Sequence, residues 1–152
     1  MIYTRPTYKP QYENFIGGEW VAPTSGEYFD NISPVDGELL TRIPRSNEAD
    51  VEAAILAADK AFQSFKHTSV LERSNLLNKM ADAIEANLEK LAIAETLDNG
   101  KTIRETLAAD VPLVVDHFRY FASVIRAESG TVSDLDENTI SQEIHEPYGD
   151  RK

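Results

Sequence analysis

Cysteine is absent from all 152 residues. That excludes disulfides and thiolate metal sites, and it denies the chain a thiol nucleophile of its own. Positive charge is scarce: 15 Lys and Arg stand against 26 Asp and Glu, for a net charge of -11. The basic residues are scattered without forming a stripe, so nucleic acid is not expected as a partner. No apolar run is long enough to span a bilayer, and the opening MIYTRPTYKPQYENF is mixed and proline-containing, unlike a secretory leader. The expectation is no membrane partner and a cytoplasmic location. Also missing are a Gly-x-Gly-x-x-Gly or Gly-x-x-x-x-Gly-Lys loop to cradle a pyrophosphate, and a Gly-x-Ser-x-Gly elbow to expose a serine nucleophile. Judged by its own residues, the chain offers no catalytic site.

What is present is an ordinary globular mixture, 41% apolar and 27% charged. The first ten residues, with Pro6 and Pro10, read as an extended arm. Phe15-Ile16 and Trp20-Val21 flank Gly17-Gly18, a hairpin signal because a two-residue turn needs backbone at positive φ. Residues 28–43 give two further extended segments around a turn at Pro34-Val35-Asp36-Gly37. From Ser46 the period becomes helical. Val51, Ile55, Ala58, Phe62 and Phe65 mark an amphipathic helix over about 47–66. Ser69 and Glu72 form a capping box in sequence, opening a second helix with Leu76, Leu77, Met80 and Ile84 as its buried stripe. Asn87 is placed as the cap of a third helix carrying Leu88, Leu91, Ile93 and Leu97, stopped by Gly100. Thr102 and Glu105 repeat the capping-box spacing. Asp110 is placed as the cap of a last long helix with Pro112 in its first turn, running to about Glu128 and ending at Gly130. Alternation over 139–144 predicts one or two final strands.

Several motifs have a chemical and a bland reading. His67, His117 and His145 lack partners at useful spacing and are read as structural, at a helix end, within a helix and in a strand respectively. Asp134, Asp136 and Asn138 imitate the start of a calcium loop, but Thr139 stands where a glycine is needed and His145 where a bidentate Glu is needed; an acidic solvated loop is the better reading. Asn31-Ile32-Ser33 matches a glycosylation acceptor by chance, given the opening sequence.

The segment Glu95 to Ala122, ETLDNGKTIRETLAADVPLVVDHFRYFA, resembles the NAD(P)-dependent aldehyde dehydrogenase superfamily, whose members carry Glu-Thr-Leu-Asp-Asn-Gly-Lys followed by an amphipathic helix and an Arg-Tyr-Phe/Tyr-Ala ending. Phe15-Ile16-Gly17-Gly18-Glu19-Trp20 is similar to the family's opening strand. Ser33-Pro34-Val35-Asp36-Gly37-Glu38 is similar to its Asn-Pro-Ala-Thr-Gly-Glu turn, and His145-Glu146-Pro147-Tyr148-Gly149 to its His-Glu-Pro-Leu/Val-Gly. The nearest subgroup by resemblance is the bacterial type that oxidises acetaldehyde and similar short aldehydes.

The resemblance implies an α/β, aldehyde dehydrogenase-like fold, of which this chain is a mainly α-helical N-terminal fragment with β-hairpins at its start and one or two strands at its end. It divides into an arm and hairpins (1–45), the helical part of an incomplete NAD-binding domain (46–130) and oligomerisation-type strands (131–152). In the family a Cys attacks the aldehyde, hydride passes to NAD or NADP, and a Glu-activated water releases the acid. In a full-length member those groups come after the His-Glu-Pro-Leu/Val-Gly match, where this chain runs instead into Asp150-Arg151-Lys152, so no catalytic or cofactor-binding residue is assigned, no cofactor is expected to bind the fragment, and inactivity is expected. By alignment, Ala109, Asp110 and Leu113 are similar to residues at the mouth of the substrate tunnel, with helix packing an equal reading. Asp98, with the carbonyl of Asn31, resembles a monovalent-cation site, with a helix-end role for Asp98 an equal reading. Residues 131–147 resemble strands that reach a neighbouring subunit. Self-association, or association with a full-length relative, is the partner expectation, and a premature stop leaving a non-functional remnant is the third reading.

Overall fold

The computed structural model of the chain describes residues 3–146; Pro147 to Gly149 and the Asp150-Arg151-Lys152 ending lie outside the described residues. The N-terminal arm is extended and lies along the later strand β4 (Leu39–Pro44), through a parallel bridge between Gln11 and Arg42 and a bond from Thr41 Oγ1 to the Lys9 carbonyl at 2.8 Å. β1 (Asn14–Ile16) and β2 (Glu19–Val21) form a hairpin. Its turn residues Gly17 and Gly18 sit at φ 63 and 90, the mirror-image turn that matches strand twist and that glycine adopts without a steric cost. β3 (Tyr28–Ile32) pairs antiparallel with β4 around a turn closed by Gly37 N–H to the Ser33 carbonyl at 2.8 Å.

Five helices follow: α1 (Glu48–Phe65), α2 (Val70–Ala86), α3 (Leu88–Asn99), the short α4 (Ile103–Glu105) and α5 (Val111–Ala127). The Ser69–Glu72 capping box forms as expected, with both reciprocal bonds present. A second one, between Asn47 and Asp50, starts α1, with the Asn-x-x-Asp spacing as its only sequence signal. β5 (Val132–Asp136) and β6 (Thr139–Gln142) then form a hairpin that pairs with no other strand among the described residues. Each of the three sheets has two strands, so the α/β fold class is present here as helices with peripheral hairpins.

Several local expectations are corrected. Asn87 stands at the N-cap of α3 as expected, but without a side-chain capping bond: it closes α2 and opens α3 at once, at φ -116 and ψ 17, and its amide donates back to the Ala83 carbonyl at 2.9 Å. The Thr102 hydroxyl makes no bond to the helix backbone, because it donates to the Glu105 carboxylate at 3.0 Å. Asp110 caps nothing. α4 runs into a π-turn (Thr106–Asp110) and on into α5, and Asp110 has helical φ and ψ inside that continuous path. The Val111 N–H reaches five residues back to the Thr106 carbonyl. Pro112, without an N–H, is tolerated where the ladder changes step. α5 ends at Ala127 with Glu128 as its C-cap, in keeping with the expected end near Glu128. Gly130 is needed for closeness and not for a left-handed stop, since a Cβ there would overlap the Glu143 carbonyl.

The buried core is built of small side chains. α2 and α5 make the most extensive helix contact, with Ala81, Val115 and Ala122 buried and the Ser74 hydroxyl donating to the Ala122 carbonyl at 2.7 Å. Of the α2 stripe expected to be buried, Leu76 and Met80 are exposed, as are Val51 and Phe65 on α1. Amphipathic spacing shows which face needs cover, and these faces have none within the described residues.

Candidate functional site

The residues singled out by resemblance fall into two groups that the fold keeps apart. Asn31 at the end of β3 and Asp98 at the end of α3, 67 positions apart in sequence, meet side chain to side chain, with Asn31 Nδ2 donating to Asp98 Oδ1 at 2.6 Å. They line a cleft of about 500 Å³ whose walls are mostly apolar, with Leu40, Leu91, Val111 and Val114 among them. The tie between β3 and α3 is strengthened by Ser33, fully buried, whose hydroxyl donates to the Leu97 carbonyl at 2.7 Å. Asn31 and Ser33 of the glycosylation triplet are therefore both engaged in packing. On the arm side, the Tyr8 hydroxyl reaches the cleft buried and without a hydrogen-bond partner among the described residues, and burial raises its pKa.

Two carboxylates, Glu95 and Asp98, line this cleft. The Asn31 amide turns its N–H toward the Asp98 carboxylate, so the pair is satisfied as it stands. Among the described residues no group of three His, Asp or Glu side chains converges on a metal position.

Ala109, Asp110 and Leu113 lie on the π-turn and the first turn of α5, outside the lining of the cleft. Ala109 and Leu113 are exposed and Asp110 is half-buried. Asp110 Oδ2 meets no donor other than the Lys101 ammonium, 2.6 Å away. The hydrogen bond to Asp110 raises the Lys101 pKa. Beneath them, the Thr96 and Thr106 hydroxyls are 3.0 Å apart and Thr106 is fully buried, which pins the π-turn to α3. A run of five residues winding with a wide turn and carrying a half-buried carboxylate is the kind of irregularity found at functional positions.

The other candidates resolve locally. Asp136 accepts the Asn138 N–H at 2.8 Å, and that bond lowers its pKa, so the acidic loop folds on itself as a hairpin turn. His145 lies beyond β6, not in it, and it has partners that spacing did not reveal: Glu128 at 3.3 Å from Nδ1 and Glu143 at 3.6 Å from Nε2. Sequence reasoning also missed the clamp of Arg119 on Glu85 at 2.6 Å and Asp82 at 3.1 Å, which joins α5 to α2 and holds the guanidinium pKa up. Arg119 was noted only as part of a family ending. Nothing in this chain gives a dinucleotide a glycine-rich turn at a helix N-terminus, so no chemical step is assigned through one.

No helix among the described residues is long and apolar enough to cross a membrane. Comparison with known proteins fits this arrangement. The sequence profile described as "Aldehyde dehydrogenase family" matches residues 20–150. A long-chain-aldehyde dehydrogenase of an Acinetobacter species is 63% identical over 142 residues, covering 93% of this chain and 28% of the relative. Acetaldehyde dehydrogenase 2 of Cupriavidus necator is 56% identical, with the same coverage of 93% and 28%. Among solved structures, an indole-3-acetaldehyde dehydrogenase in apo form superposes with a TM-score of 0.88 at 33% identity, covering 93% of this chain and 33% of that one. Two other matched structures, one from P. syringae, are complexes with NAD. The chain spans 28% to 31% of the length of the matched relatives. It belongs to the aldehyde dehydrogenase family and corresponds to a partial, N-terminal portion of such an enzyme.

Proposed function

We propose that this chain is the scaffold part of an NAD(P)-dependent aldehyde dehydrogenase, a cytoplasmic enzyme that oxidises aldehydes to carboxylic acids, and that the 152-residue chain alone does not turn over. One observation carries the reading: the family-like packing of α2, α3 and α5 occurs in a chain with no cysteine, so the acyl-enzyme route has no nucleophile. The parent takes NAD or NADP, and acetaldehyde or a similar short aldehyde is its substrate. The chain itself binds neither cofactor. Its contributions are second-rank. Ala109, Asp110 and Leu113 would edge the approach to the reacting centre, with Lys101 neutralising Asp110. Asp98 and the Asn31 carbonyl would add ligands to a monovalent cation that the rest of the parent completes. The division at 45/46 and 130/131 is part of the same proposal.

The test is to supply the purified chain with acetaldehyde and either NAD or NADP and to follow reduced nicotinamide. No rate above the buffer control is expected; sustained turnover overturns the reading. A second reading, in which the chain is an interaction module that joins a full-length relative, is favoured by the β5–β6 hairpin, where Val132, Leu135 and Ile140 are 67%, 68% and 69% exposed. Co-purification with a full-length relative supports it, and a clean monomer that captures none counts against it.

A further inference from the structure

Eight asparagines occur in the chain, and only Asn99 is followed by glycine. In an Asn-Gly pair the following backbone nitrogen is unshielded by a Cβ, so it is the pair best able to cyclise. Both residues are exposed, at the point where α3 ends and Gly100 takes φ 80. Yet every atom that cyclisation needs is held. The Gly100 N–H donates to the Thr96 carbonyl at 2.9 Å, Asn99 Nδ2 donates to Glu95 Oε1 at 2.6 Å, and Asn99 Oδ1 accepts from the Lys101 N–H at 2.8 Å. The helical backbone at Asn99 turns the Gly100 N–H toward Thr96.

We infer that Asn99-Gly100 is a deamidation site that the fold holds closed and that fraying of the end of α3 opens. Once open, the Gly100 nitrogen attacks Asn99 Cγ. The N–Cγ bond forms, the Cγ–Nδ2 bond breaks, and Nδ2 leaves as ammonia with the proton from the Gly100 amide. Water then adds across either C–N bond of the cyclic imide and leaves aspartate or its β-linked isomer. No oxidant or reductant takes part. The product replaces the N–H donor that faced Glu95 with a carboxylate, setting two anions against each other beside Asp98, whose own bond to Asn31 ties α3 to β3. Copies that have converted therefore do not close again as they were. The step is one-way, and its rate records how often the α3 end comes loose.

The test is incubation of the purified chain at mildly alkaline pH, in native buffer and in concentrated guanidinium chloride, followed by trypsin and mass spectrometry of the Leu91–Lys101 peptide. Conversion of Asn99 should be at least roughly tenfold faster in denaturant, where opening no longer limits it, and ahead of all seven other asparagines there. Equal rates in the two conditions overturn the gating, and an Asn99 no faster than the others in denaturant overturns the site. Glu95→Ala should raise the native rate with helicity retained by circular dichroism; an unchanged native rate shows that the Glu95 bond is not part of the lock.

Discussion

Between α2 and α5 the chain places its small residues, and along β5–β6 it leaves several large ones in the open. Ser74, Ala81 and Ala122 are buried to 1% exposure or less, and a side chain-to-backbone bond at 2.7 Å stitches the seam. Val132, Leu135 and Ile140 stand two-thirds exposed on a two-stranded ribbon that pairs with no other strand among the described residues. The first region shows packing that is finished within the chain: short side chains let two backbones approach, and the Arg119 clamp closes the outside. The second shows packing left open, because an isolated hairpin is at best marginal without a partner surface. A scaffold portion of a larger enzyme is expected to carry both kinds of surface.

Substitutions can break this contrast. Ala122→Leu forces four-carbon bulk into the seam and should cost about 1–3 kcal/mol, seen as a lower thermal midpoint by circular dichroism; no loss would mean that the seam is not packed as described. Ser74→Ala removes the donor from the Ala122 carbonyl and should cost about 1–2 kcal/mol by the same measurement. Acid should weaken the helical region next. The Asp50 carboxyl is held below its ordinary range by the backbone N–H groups of Asn47 and Thr24, and Glu72 by that of Ser69. A folded pKa below the unfolded one means that the stabilisation is complete above the ordinary carboxylate range and is lost as pH falls through the depressed folded values. The thermal midpoint should therefore be flat near neutrality and fall as pH drops below about 4. Asp50→Asn should remove part of that acid dependence. Smallest in stability is Ile140→Ser on the hairpin, which should stay within about 0.5 kcal/mol while reducing self-association in sedimentation.

Local chemistry was legible in the sequence: the Gly17-Gly18 turn, the Ser69–Glu72 box and the stop at Gly100 all follow from short-range rules, and the structure contains each. The π-turn was not, since a bond from Val111 to the fifth residue back depends on how α3 and α5 meet and leaves no spacing signature. Pro112 suggested a helix start when it marks a change of step. The meeting of Asn31 with Asp98 joins elements 67 positions apart, and only the family resemblance pointed to it. Burial was the weakest inference, because Leu76 and Met80 satisfy helical periodicity while remaining exposed. The pattern states which surface is apolar and leaves open what covers it.

The most direct check on this division is hydrogen exchange resolved by peptide. Amides of α2 and α5 should be the slowest in the chain, and those of β5–β6 should exchange close to the rate of unstructured backbone. Protection of the hairpin equal to or greater than that of the α2–α5 pair would contradict the account.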